Sequence, residues 1–125
     1  MKKILFVMDR KVLAEALMIE MKHISGAAFS KEYNYKRAAI AAEVFQPNIM
    51  LLEIPESKKI SLHQCLEICN DVRKILPECK ILLLTPESSK DAREMAIKAV
   101  QDGNVNDFIY YDTSMEYLKS KLKSM

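Results

Sequence analysis

The sequence predicts an α/β fold in which five parallel strands alternate with five helices. Three observations support this prediction. Short apolar runs alternate with amphipathic stretches five times along the chain. Residues 49–52 and 81–84 are apolar throughout, as in strands that helices cover on both faces. Half of the 125 residues are hydrophobic, which is enough for one packed core without disulfides or metals.

The ten elements follow from these runs in order. Strands are predicted at 3–8, 27–31, 48–54, 80–85 and 107–111, and helices at 10–23, 35–45, 61–76, 89–102 and 113–123. Helix start signals support three of the helices. Asp9 lies at the N-cap position of the first, Ser88 or Ser89 precedes the fourth, and Thr113 with Glu116 forms a capping box for the fifth.

Apolar stripes on the predicted helices indicate the faces that pack inward. On the first helix the stripe is Leu13, Leu17 and Met21, with Val12 and Ala16 alongside. On the third helix it is Leu62, Cys65, Leu66, Cys69, Val72 and Leu76. The cysteines are therefore expected to be reduced core residues rather than ligands.

The connections between strands define the topology and the position of a site. Right-handed crossovers place helices on both faces of the sheet, which gives a doubly wound, flavodoxin-like three-layer sandwich with strand order 2-1-3-4-5. Ligands of such sheets bind at the carboxyl ends of the strands, near the switch point between strands 1 and 3. The candidate residues at that edge are Met8, Asp9, Arg10, Glu53, Thr85, Tyr110, Tyr111 and Asp112.

Composition and motifs argue against several classes of protein. No apolar run approaches the ~20 residues of a membrane-spanning helix, and Asp9 and Arg10 interrupt the apolar start of the chain, so a cytoplasmic location is expected. The net charge of +2, with both signs mixed along the chain, argues against a nucleic-acid partner. The three cysteines match no zinc pattern, and neither His23 nor His63 is expected to have an acid at ligand spacing.

Four segments together resemble the receiver domain of response regulators in two-component signalling. Residues 4–10 resemble its first strand with an acidic pair, and residues 47–53 resemble the segment that carries the phosphoacceptor aspartate. Residues 81–85 resemble the strand that ends in Thr or Ser, and Gly103 with residues 107–109 resembles the segment before a Lys-Pro pair. The resemblance extends over nearly the whole chain.

This resemblance implies positions for a phosphotransfer site. Receiver domains accept a phosphoryl group from a histidine kinase onto an aspartate, with magnesium in an acidic pocket and a Lys and a Thr on the phosphoryl oxygens. Here the phosphoacceptor position holds Glu53, and Asp9 alone remains of the acidic pair because its neighbour is Met8. Thr85 keeps the hydroxyl, and the lysine position holds Tyr111, or Tyr110 if the strand is shifted by one residue.

These departures predict a degenerate receiver, or pseudo-receiver, that is not phosphorylated in the usual way. A lost cationic or hydrogen-bonding group of this kind costs roughly 3–4 kcal/mol in rate, and both a metal ligand and a lysine are missing. No enzyme activity and no cofactor are expected, with magnesium on Asp9 and Glu53 the weak alternative. The longer Glu53 is expected to extend its carboxylate outward, and Phe108 is expected to replace the switch aromatic that couples to Thr85.

The expected function is signal transduction through protein contacts. One receiver-like domain covers residues 1–125, and no output domain is expected within it. The expected partner is a histidine kinase, an effector, or a second copy, bound through the fourth helix, fifth strand and fifth helix. The alternatives are a phosphorylation-independent scaffold or dimerisation module and a still functional phosphoacceptor.

Overall fold

A computed structural model describes residues 2–23, 26–57 and 59–125 and confirms the predicted α/β fold. The strands are β1 (Lys2–Val7), β2 (Ala27–Glu32), β3 (Ile49–Glu53), β4 (Lys80–Thr85) and β5 (Asp107–Tyr110). The helices are α1 (Lys11–Met21), α2 (Ala38–Phe45), α3 (Leu62–Ile75), α4 (Lys90–Gln101) and α5 (Met115–Ser124). A 3-10 turn, Tyr35–Arg37, precedes α2, where the sequence predicted one continuous helix. No helix in the described part of the chain is long and apolar enough to cross a membrane.

The five strands form one parallel sheet in the predicted order, β2-β1-β3-β4-β5. The register places Val7 beside Leu52, and Glu53 beside Leu84. The last residues of β1, β3 and β4 therefore end along the same edge. The loops that follow β1, β3 and β5 meet there, at the switch point of the sheet.

Side chains alternate between two apolar clusters, one on each face of the sheet. One cluster lies under α2, α3 and α4 and includes Leu5, Met50 and Leu83. The other lies under α1 and α5 and includes Phe6, Leu51 and Leu82. Because residues of the central strands pack on both faces, their sequence is apolar without alternation, as predicted for a three-layer sandwich.

The inward face of α1 differs from the prediction in one respect. Val12 is 83% exposed, and Ala14, Leu17 and Met21 are the buried residues of this helix. A position two residues after Val12 lies about 200° around an α-helix, so Ala14 faces the sheet when Val12 faces outward. The stripe of α3 is confirmed, with Cys65, Cys69 and Val72 fully enclosed.

The helix caps are partly as predicted. Ser89 caps α4 by accepting a hydrogen bond from the backbone N–H of Ala92. The predicted cap of α5 is wrong, because Ser114 rather than Thr113 accepts from the N–H of Tyr117. Asp9 does not cap α1. That helix begins after Arg10, which provides no side-chain cap.

The sequence analysis did not predict the capping box at the start of α3. Ser61 and Gln64 at the start of α3 exchange hydrogen bonds of 2.8 and 3.1 Å between side chain and backbone. The spacing of Ser and Gln three residues apart was the signal that could have identified it.

Candidate functional site

Loops after β1, β3 and β5 enclose a cavity of about 220 Å³ at the switch point. Its lining includes Asp9 and Arg10 from the first loop, Glu53 and Ser57 from the end of β3 and its loop, and Tyr111 after β5. The topology predicted Asp9, Arg10, Glu53 and Tyr111 at this edge, although it predicted no role for Arg10. Ser57 was not among the predicted residues. We call this cavity and its lining the switch-point site.

The Glu53 carboxylate turns inward, which corrects the expectation that it extends toward solvent. Its side chain is 1% exposed. Oε1 accepts hydrogen bonds from the backbone N–H groups of Asp9, at 2.8 Å, and Arg10, at 3.0 Å. Oε2 accepts a hydrogen bond from Arg10 Nε and forms an ion pair with that guanidinium. Both carboxylate oxygens are therefore engaged within the protein.

Arg10 links the carboxylate to the last strand. The centre of its guanidinium lies 4.1 Å from the centre of the Tyr111 ring, within the range of a cation–π contact. Tyr111 in turn donates its hydroxyl hydrogen to the backbone carbonyl of Ile54. Its phenol pKa is raised, first by burial and then by the negative charge of Glu53, so the hydroxyl stays protonated as a donor. Sequence periodicity carries no signal for these contacts across loops.

Of the two tyrosines predicted as candidates for the lysine position, only one lines the switch-point site. Tyr111 lines the switch-point site, whereas Tyr110 lies beside Thr85 in the sheet and packs edge-on against Phe108. A third tyrosine, Tyr35, contacts the backbone of the residue at the centre of the site. Tyr35 donates its hydroxyl hydrogen to the backbone carbonyl of Glu53, and burial raises its phenol pKa.

The residues present do not fit a receiver-type magnesium site. The thioether of Met8 is fully buried in the cluster under α1 and α5. Asp9 Oδ2 accepts a hydrogen bond of 3.1 Å from Ser57, and the Glu53 oxygens are held by two N–H groups and a guanidinium. Magnesium prefers oxygen ligands without a competing cation, and Arg10 supplies that cation. No group of three or more His, Cys, Asp or Glu residues placed to hold a metal occurs among residues 2–23, 26–57 and 59–125.

The prediction that His63 has no acid at ligand spacing is wrong. His63 does have an acid one turn away, since its Nε2 lies 2.8 Å from Glu67 Oε1. Both side chains are exposed on α3, and such i,i+4 pairs are common on helix surfaces.

The predicted switch pair lies outside the switch-point site. Thr85 is fully buried and its Oγ1 has no hydrogen-bond partner among the described residues. Phe108 is half-buried, packs against the cluster under α4, and contacts the Tyr110 ring with a centroid distance of 5.5 Å. The Phe108 ring therefore faces α4, and because it has no hydroxyl, it has no polar group that would favour exposure to solvent.

Most exposed large apolar side chains of the described residues lie in two regions, and Ile75 on α3 belongs to neither. The predicted contact face contributes Ile97 on α4 and Tyr117 on α5. A larger set lies on the two helices that flank the edge strand β2: Val12 and Ile19 on α1, and Ile40 and Val44 on α2. The sequence analysis placed Val12 alongside the inward stripe of α1 and assigned no role to Ile19, Ile40 or Val44.

Several solved structures with the same fold are receiver domains or response regulators. A DNA-binding response regulator of the LuxR family from Staphylococcus aureus is 18% identical, with a TM-score of 0.78 over 99% of this chain and 98% of that chain. A two-component response regulator from Clostridium difficile is 19% identical, with a TM-score of 0.78 over 99% and 94%. The sequence matches no protein-family model, and no curated protein matches it significantly.

A third similar structure carries the modification at issue. It is a response regulator from Burkholderia pseudomallei with a phosphorylated aspartic acid, a calcium ion and citrate. It is 19% identical, with a TM-score of 0.75 over 99% of this chain and 72% of that chain. The chain therefore has the receiver-domain fold, and the resemblance noted from its sequence is confirmed at the level of the fold. Identities this low establish architecture and leave the chemistry to the residues of this chain.

Proposed function

We propose that the protein is a pseudo-receiver that transmits a signal by binding a protein partner, without phosphorylation of Glu53. One observation carries the proposal: both oxygens of the Glu53 carboxylate are already bound, by Arg10 and by the N–H groups of Asp9 and Arg10. The Arg10 guanidinium supplies a positive charge beside this carboxylate, as a metal and a lysine do in the receiver domains that the sequence resembles. Catalysis, a cofactor and a nucleic-acid partner form no part of this function, and we propose a cytoplasmic location.

The geometry is unfavourable for phosphoryl transfer to Glu53. A carboxylate acceptor needs a free oxygen in line with the donor phosphorus and cations on the transferring oxygens. Releasing Oε2 would separate Glu53 from Arg10 in a site where the carboxylate is 1% exposed. Separating this pair costs about 2 kcal/mol before any chemistry begins, because Arg10 is 44% exposed and water can replace part of the contact. The Arg10 guanidinium would also compete with any metal for the Glu53 carboxylate.

Asp9 is also poorly placed to accept a phosphoryl group, although it lies at the switch point. Its carboxylate is half-buried, accepts a hydrogen bond from Ser57, and lies in the loop whose N–H groups hold Glu53. No lysine lines the switch-point site in the described chain. Arg10 is the cation at this site, and its charge is already shared with Glu53 and the Tyr111 ring.

The partner surface proposed is the face formed by α4, β5 and α5. Tyr117 and Ile97 are exposed there, and Phe108 and Tyr110 form an aromatic pair between the two helices. Aromatic side chains are enriched at protein interfaces. Because Arg10 contacts Tyr111 directly after β5, the state of the Arg10–Glu53 pair is coupled to this face through one residue. A histidine kinase, an effector or a second copy would satisfy the proposal.

A second function is favoured by the apolar residues beside β2. Val12, Ile19, Ile40 and Val44 are exposed around an edge strand, which is typical of a scaffold that dimerises. Sedimentation or light scattering discriminates the two. A dimer lost in Val44→Lys and retained in Tyr117→Lys supports the scaffold, and the reverse pattern supports the α4–β5–α5 face.

The experiment that tests the proposal is phosphorylation by a small donor. The protein, with and without magnesium, is incubated with radiolabelled acetyl phosphate and its intact mass is measured. We expect no covalent label on the wild-type protein. A matched variant, Glu53→Asp, shortens the side chain by one methylene and is also expected to remain unlabelled, because Met8 and Tyr111 persist. Stoichiometric label on Glu53 or Asp9 in the wild type would overturn the proposal and favour a functional phosphoacceptor.

A further inference from the structure

Two adjoining cavities open beside the switch-point site, on the side of β2. Their volumes are about 300 and 500 Å³, and they share Asp9, Tyr33, Asn34 and Lys59. We call them together the lysine groove. Each is within the size range of a small-molecule site. Asp9 also lines the switch-point site, so the two regions meet at that residue.

The larger cavity carries uncompensated positive charge. Lys11, Lys31 and Lys59 line it, and Lys36 lines the smaller cavity. Only Lys31 has a carboxylate partner, Glu15 at 3.4 Å; Lys11, Lys36 and Lys59 form no ion pair with any carboxylate in the described chain. Ammonium groups that are close together repel one another, and an anion between them relieves that repulsion.

The two carboxylates of the groove do not cancel this charge. Glu32 lies 3.8 Å from Arg37 and accepts a hydrogen bond from the N–H of Asn34. Asp9 accepts a hydrogen bond from Ser57, which lines the switch-point site, and this neutral partner leaves the Asp9 charge in place. Four lysines therefore outnumber the two carboxylates that line the groove, and only Glu32 of those two is paired with a cation.

Tyr33 lies at the centre of the groove. Lys11 Nζ is 5.3 Å and Lys31 Nζ is 5.4 Å from the centre of its ring, so two ammonium groups approach one aromatic face or edge. Its hydroxyl is enclosed and forms no hydrogen bond of good geometry among the described residues, although it lies near Lys31 and raises the pKa of that ammonium group. Buried hydroxyls are almost always satisfied, and a ligand that displaces a flexible lysine side chain would supply the missing partner.

The smaller cavity differs in character from the larger one. Tyr35, Pro55 and Ile60 line it beside Lys36 and Gln64, so its wall is largely apolar and aromatic, with an amide at its rim. A ligand that fills both cavities needs an anionic end and a flat, weakly polar body. A mononucleotide has this combination, with the phosphate placed among Lys11, Lys31 and Lys59 and the base placed against Tyr35, Pro55 and Ile60.

We propose that the lysine groove binds a mononucleotide or a closely similar aromatic phosphate, whose occupancy provides the input that phosphorylation provides elsewhere. Binding would act through Asp9, which belongs to both the groove and the switch-point site, and through Tyr35, whose hydroxyl holds the backbone carbonyl of Glu53. The site itself does not depend on the absence of phosphorylation. It can therefore be tested separately from the proposed function.

The test is calorimetric titration at constant ionic strength with three probes: adenosine monophosphate, inorganic phosphate and adenosine. We expect the nucleotide to bind at least about tenfold more tightly than either fragment, and its affinity to fall as salt is raised. The double variant Lys11→Gln/Lys59→Gln should lose about tenfold or more in nucleotide affinity. Lys98→Gln, an exposed lysine of α4 outside the groove, is the matched control and should bind as the wild type does.

Each alternative outcome contradicts a defined part of the proposal. Equal affinity for adenosine and the nucleotide would overturn the anion site, and equal affinity for phosphate would overturn the role of the apolar cavity. An equal loss in Lys98→Gln would show non-specific attraction, and no binding of any probe at millimolar concentration would overturn the proposal entirely. Circular dichroism of each variant confirms that the comparison is between folded proteins. None of these outcomes changes the expected result with acetyl phosphate.

Discussion

Replacing Arg10 by Met should destabilise the protein by removing the cation that faces Glu53. The loss of one partner from a buried ion pair costs about 3–5 kcal/mol. Two features of this site reduce the cost. Oε1 keeps its two backbone hydrogen bonds of 2.8 and 3.0 Å, and the Arg10 side chain is 44% exposed, so water can enter where it lay. We therefore expect a loss of about 2 kcal/mol in the free energy of unfolding.

A double-mutant cycle isolates the ion pair from these side effects. Arg10→Met, Glu53→Gln and the double variant are unfolded in urea, where 2 kcal/mol corresponds to a midpoint shift of roughly 1 M. The expected coupling energy is about 1–2 kcal/mol. Lys90 and Glu94 on α4 provide a matched surface cycle, because their side chains are 78% and 64% exposed at 3.8 Å. That pair should couple by less than ~0.5 kcal/mol.

The same cycle tests whether Arg10 holds the Glu53 carboxylate in place. If the Arg10–Glu53 coupling is no larger than the Lys90–Glu94 coupling, Arg10 does not hold the carboxylate in place. The Glu53 side chain would then be free to rearrange, and the argument against a phosphoacceptor would lose its basis.

Three further predictions follow from the caps and the buried ionisable groups. Ser114→Ala should lower the free energy of unfolding by about 1 kcal/mol while Thr113→Ala leaves it nearly unchanged, because only Ser114 caps α5; equal urea midpoints for the two variants would contradict the assignment. The thiols should resist a disulfide reagent at pH 8 until the protein is unfolded, because burial raises the pKa of Cys65 and Cys79 to about 11 and that of Cys69 to about 12; rapid native labelling would show that they are accessible. The free energy of unfolding should be constant up to about pH 8.5 and fall as pH rises toward 11. The reason is that the raised pKa values of the three thiols and of Tyr111 keep these groups protonated in the folded state at a pH where the unfolded state has lost the protons. Urea midpoints that rise over this range would contradict the prediction.

The architecture was predictable because it depends on hydrophobic periodicity. The apolar run of β4 ends at Leu84 and the polar Thr85 closes the strand, so its bounds were predicted without error. The side of α1 that faces the sheet was harder to predict, because Val12 and Ala14 are both apolar and only packing shows which of them is buried. Tyr35 begins a short 3-10 turn that continues into α2, and a helical pattern does not separate the two.

The composition of the site was predictable, but its internal contacts were not. Parallel topology placed Asp9, Glu53 and Tyr111 at one edge. The direction of the Glu53 side chain depends on two backbone N–H groups and one guanidinium in a loop 43 residues away along the chain, which no local pattern encodes. Arg10 directly follows the acid at the switch point, and this position was the available signal that a cation could enter the site.

Backbone amide resonances of Asp9 and Arg10 provide the most direct measurement of the central claim, because these two N–H groups donate to Glu53 Oε1. Nitrogen-labelled protein is titrated with magnesium and then with magnesium plus acetyl phosphate. We predict that the chemical shifts of both amides stay unchanged, because Glu53 remains bound to Arg10. Saturable shifts of both amides with magnesium, followed by a second set of resonances with the phosphodonor, would contradict it.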